Sequence, residues 1–135
     1  MRIAVTRVDA HRYATSVERD DGVELCVPGY AFMRALPHDL AHYVVESALR
    51  LDYGFWGSVH AGAKFTGMTV LRGRQKPHAD ERARQTEKQN AQHLSAAERL
   101  VVCFESIVAE VLDKRPDLAA AHLKTAMGTL ERYPG

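Results

Sequence analysis

The chain has 135 residues, enough for one core that needs neither disulfides nor a structural metal, and its 46% hydrophobic and 26% charged residues are those of a globular protein. Eighteen basic and 17 acidic side chains leave a net charge of +1, so there is no global pull toward nucleic acid or an anionic membrane. No apolar run approaches the roughly 18–20 residues of a membrane span, and the start, MRIAVTRVDAHRY, alternates apolar and polar residues instead of presenting the apolar core of a secretory signal.

Residues 2–28 read as strands. Ile3, Val5 and Val8 lie in a β-rich run, and Tyr13, Thr15 and Val17 follow at strict period two. The turn sequence DDG then precedes Val23, Leu25 and Val27, which alternate again, and Pro28-Gly29 closes the third strand. A three-stranded meander buries one face, so helices are expected to cover it.

The first helix is expected over 37–51. Pro37 suits its first turn, Asp39 complements the positive helix end, and Leu40, Val44, Ala48 and Leu51 recur at helical spacing beside Ala41 and Val45. A second helix is expected over 55–66, where Trp56, Val59, Ala63 and Phe65 form a stripe, although Gly57 and Gly62 weaken it in isolation. Residues 72–93 lack large apolar side chains and read as a polar linker, partly helical after Pro77. Arg72, Arg74, Lys76, Arg82, Arg84 and Lys88 make it locally basic, but Asp80, Glu81 and Glu87 dilute that charge, so a solvated segment outranks a phosphate-binding arm. Ser95 and Glu98 fit a capping box opening a helix over 95–113, and a last helix over 117–132 follows Pro116. These elements make one α+β domain, residues 1–135: an N-terminal three-stranded antiparallel meander packed against three to four helices.

The stretch that carries chemistry is LPHDLAHYVVE, residues 36–46. At about 100° per residue, His38, His42 and Glu46 form a stripe at i, i+4, i+8 along one edge of the apolar arc, with Asp39 on the polar side. Two histidines four apart can aim their rings at one point, the geometry by which helices hold zinc. His38 and His42 are therefore the candidate metal ligands. Asp39 and Glu46 are candidates for a further ligand, and Glu46 also for a catalytic base on bound water or an acceptor that orients an imidazole. The first-turn position of His38 beside apolar neighbours favours the neutral imidazole that a zinc or iron ion requires. The opposing reading is a solvated helix edge, in which Asp39 serves only the helix terminus and Glu46 pairs with Arg50.

LPHDLAHYVVE…GFWG…AGAKFTGM also resembles a family of small bacterial proteins, of the kind common in actinobacteria, with an LPHDLxHxxVE…GFWG core. The resemblance covers about residues 1–72, and the C-terminal helices more loosely; it implies no known activity. The HDxxH unit is similar to the zinc motif of the coenzyme Q biosynthesis family usually called Coq-four, which is associated with a carboxyl-removing step on a quinone precursor. His38, Asp39 and His42 match that motif. The family's glutamate, twelve positions after the second histidine, does not: Gly54 stands there, and the nearest carboxylates are Asp52 and Glu46.

Other candidates are weaker. His60 is a further ligand only if the second helix folds back on the first, and Phe55 and Trp56 read as core. No GxGxxG, P-loop or GxSxG occurs. Cys26 and Cys103 sit among apolar neighbours, with no CxxC, as free thiols do in a reducing cytoplasm. The expectation is a cytoplasmic metal-binding protein, with a metal-dependent reaction left open, that takes a small molecule or a partner protein; self-association is also open, and nucleic acid and membrane are not expected. The rival is a non-enzymatic interaction module whose histidine helix is structural.

Overall fold

Period-two alternation over the first thirty residues becomes strands because side chains on successive residues point to opposite faces, so one face can be buried without exposing the other set. The computed structural model describes residues 1–10, 12–30, 37–74 and 77–134, the side chains of Tyr30, Ala79 and Arg82 excepted. The protein is α+β: β1 (Arg2–Arg7), β2 (Arg12–Glu18) and β3 (Glu24–Tyr30) are followed by α1 (His38–Leu49), α2 (Phe55–His60), β4 (Thr69–Arg72), α3 (Ala79–Gln89), α4 (Ala91–Leu112) and α5 (Pro116–Arg132). Packing divides the chain into two compact units interleaved in sequence, Met1–Leu40 with Ser58–Gln89 and Ala41–Gly57 with Asn90–Gly135. The divisions fall inside α1 and α2, so each of those helices continues from one unit into the other.

The first unit holds a four-stranded antiparallel sheet in the order β1-β2-β3-β4. Tyr13, Thr15, Val17, Val23, Leu25 and Val27 are buried, as their alternation predicts. Across the β2–β3 pair, Tyr13 faces Gly29, and a Cβ on Gly29 would fall 2.1 Å from the Tyr13 ring. The ring thus lies over the bare backbone of its cross-strand partner, which fixes its rotamer. Gly29→Ala is expected to cost about 1–3 kcal/mol by forcing that ring aside, read as a lower urea midpoint with an unchanged slope. A change below about 0.5 kcal/mol would show that the ring can swing away freely.

The structure adds to the expected elements in two places. The fourth strand, β4, was not anticipated; it extends the meander by pairing with β3 across an irregularity at Glu24/Leu25. Four residues are too few to reveal a period, and it is the open edge of β3 that recruits them. The polar segment 72–93 is also mostly regular structure: β4 ends at Arg72, α3 spans Ala79–Gln89 and α4 already starts at Ala91. Residues 75 and 76 of that segment lie outside the described residues. Residues 79–112 contain no Gly or Pro and are rich in Ala, Arg, Glu and Gln, so propensity alone carries a helix there. Acids in its first turn and Lys88 in its last suit the dipole, and Ala83, 2% exposed, seats α3. Because α4 begins at Ala91, Ser95 and Glu98 lie inside it and do not form its capping box.

The second unit is helical. Ala41, Val45, Leu51, Leu100, Val101, Cys103 and Ala126 form its core, with Leu49, Tyr53, Phe104 and Leu130 packed on the outside. The three residues Asp113–Arg115 reverse the chain between α4 and α5. The start of the hairpin meets its end: the His93 ring lies 5.7 Å from Tyr133, and the Tyr53 hydroxyl donates to the Tyr133 carbonyl at 2.6 Å. Both cysteines are free, and burial raises the Cys103 thiol pKa.

Three helices end in the same way. In α2, the Ala63 N–H donates to the Ser58 carbonyl and the Gly62 N–H to the Val59 carbonyl, with Gly62 at φ +109. This is a Schellman ending with glycine at its left-handed position, and it stops α2 at His60, short of the expected 66. In α1, Leu51 donates to Glu46 and Arg50 to Ser47; in α4, Arg115 donates to Glu110 and Lys114 to Val111. Arg50 and Lys114 take the left-handed position there, at φ 55 and 59, accepting a small strain to turn the chain.

Candidate metal centre

Hydropathy places Leu40, Val44 and Ala48 of α1 inward, but the helix is turned differently. Its buried residues are Ala41, His42, Val45 and Glu46, while Val44 is 52% exposed and Ala48 is also exposed. A helix buries a carboxylate and an imidazole in place of a valine only if both are fully partnered, because an unpaired buried charge costs several kcal/mol.

Glu46 is partnered by the segment that follows its own helix. Its Oε1 accepts from the Phe55 N–H at 2.8 Å and its Oε2 from the Trp56 N–H at 2.9 Å. Those are the first two residues of α2, whose N–H groups have no partner inside the helix, so the carboxylate caps it and sits at its positive end. Gly54 makes this possible: a Cβ there would lie 2.2 Å from the Glu46 carboxyl carbon. The expected surface pairing of Glu46 with Arg50 is therefore replaced by a buried cradle. The chain carries glycine at position 54 because the carboxylate of Glu46 fills that space.

Glu46 also lies 3.0 Å from Nδ1 of His42, and on the other side of the ring Nε2 lies 2.9 Å from Oε2 of Glu98, on α4. His42 is 5% exposed, and its ring lies 5.6 Å from the Phe55 ring, centroid to centroid, at a tilt of 49°. Burial pulls the imidazole pKa down, but hydrogen bonds and charge from Glu46 and Glu98 outweigh it, and the net result is a rise from 6.5 to about 9. Without metal, His42 is thus an imidazolium donating one N–H to each carboxylate. A neutral ring can donate only one, and Glu46 holds it at Nδ1; the Nε2 lone pair then points at the Glu98 oxygen. Two lone pairs 2.9 Å apart repel unless a cation lies between them. That cation is either a proton or a metal ion.

Among the described residues, the group that can hold a metal is His38, His42 and Glu98, whose candidate ligand atoms all lie within 4.8 Å of one another. His38 precedes His42 by one turn of α1 and is exposed; Glu98 is half-exposed. Ligands about 2.0–2.1 Å from a tetrahedral ion stand about 3.4 Å apart, so adjustments on the order of 1 Å would close the set. Such adjustments fall on the two exposed side chains, while buried His42 stays fixed. Of the four residues singled out in the sequence, His38 and His42 belong to this group and Asp39 and Glu46 do not. Asp39 accepts from the Thr15 hydroxyl at 3.2 Å, and Glu46 touches the group only through the far nitrogen of His42. His60, the other candidate ligand, is exposed and lies 3.7 Å from Asp20. Trp56 is buried, as expected of core.

Glu98 is the residue that sequence reasoning misread, as half of a capping box. The signal available was its position beside the buried stripe Ala97, Leu100, Val101, which turns it toward the core edge once α4 starts a turn earlier than expected. No family model matches the chain, and no curated protein or solved structure shows a match to it. No helix among the described residues is long and apolar enough to cross a membrane.

Proposed function

We propose that this protein binds one divalent ion, zinc or iron, through His38, His42 and Glu98, with Glu46 as the carboxylate that fixes the tautomer of His42. The observation that carries this reading is the His42 ring held between two carboxylates, one on each nitrogen. A histidine that donates its far N–H to a carboxylate is the usual support of a metal ligand. Two histidines and one carboxylate leave coordination positions open, as catalytic zinc sites and non-haem iron sites do. An ion so held supplies Lewis acidity, either to a bound carbonyl or to a water. The chain's own contribution is a buried His42, two exposed ligands at the surface and Phe55 beside the ring. The similarity of His38-Asp39-x-x-His42 to the coenzyme Q motif agrees with this reading for the two histidines and departs from it at Gly54. We further place the protein in a reducing compartment such as the cytoplasm, a reading that two free cysteines support.

A second reading has its own support. The same two carboxylates can hold a proton in place of a metal, making His42 a structural imidazolium in an interaction module. Elemental analysis separates the two. Protein purified without a histidine tag, after growth with supplemented zinc and iron, is expected to carry about one ion per chain, and His42→Ala and Glu98→Gln are expected to lose it. Substoichiometric metal in all three proteins would leave the proton as the occupant and end the metal reading.

A further inference from the structure

We draw no further inference here: the strongest candidate, the exposed apolar tip of the α4–α5 hairpin around Val108, Val111, Leu112 and Leu118, is an unpartnered face, and nothing in the structure shows what covers it.

Discussion

Glu46→Gln is expected to destabilise the protein by about 2–4 kcal/mol, far more than a surface substitution of equal volume. The carboxylate accepts from two backbone N–H groups of α2 and from the His42 ring at once. A glutamine in its place has one oxygen to accept with, and its NH₂ must face either a backbone N–H or the imidazole N–H, both donors. One buried donor is left unpaired, and the buried imidazolium loses one of its two anions. Metal affinity should fall as well, by roughly 10- to 100-fold, because the ring loses the partner that fixes its tautomer. Gly54→Ala should act in the same direction with Glu46 intact, since its Cβ would take the place of the carboxyl group. Urea denaturation and competitive chelator titration of the three proteins side by side provide the measurement. A Glu46→Gln variant within about 0.5 kcal/mol of wild type, with unchanged affinity, would return Glu46 to the surface role that its spacing from Arg50 suggested.

The second large effect is a pH dependence whose sign the metal changes. The His42 pKa is raised on folding, from 6.5 to about 9. The folded state therefore binds the proton more tightly than the unfolded state, and the resulting stability is fully present below pH 6.5 and lost as pH rises through about 9. A shift of this size corresponds to about 3 kcal/mol. Chelator-treated protein is expected to lose that amount between about pH 6.5 and 9.5, and His42→Gln to lose little of it. The metal competes for the same Nε2, so binding expels the proton. Apparent affinity should then rise about tenfold per pH unit between pH 6 and 8, and metal-loaded protein should not share the alkaline decline over that window. A flat stability profile in the chelated protein would mean that His42 is neutral and that Glu98 does not hold its proton. Affinity independent of pH would place the ion on groups other than His42.

The sequence by itself determined what neighbouring residues determine. Tyr13, Thr15 and Val17, then Val23, Leu25 and Val27, specified strands and their buried face, because alternation is a property of a few consecutive residues. Pro37, Asp39 and the spacing of His38 and His42 specified a helix carrying two histidines one turn apart. Helix-forming residues without Gly or Pro specify α3 too, by propensity and without an apolar stripe. Tertiary structure decided which way α1 turns. Val44 and Ala48 are the more apolar residues, yet His42 and Glu46 are buried, because the N–H groups of Phe55 and Trp56 and the bare backbone of Gly54 offer a carboxylate more than a methyl group would gain. It also decided the third member of the site. Glu98 stands 56 residues from His42, and no local period relates them; only the packing of α4 brings its carboxylate to the ring. Periodicity reports which face of an element is apolar, whereas a site is a meeting of elements, fixed by where the partners of buried polar groups come from.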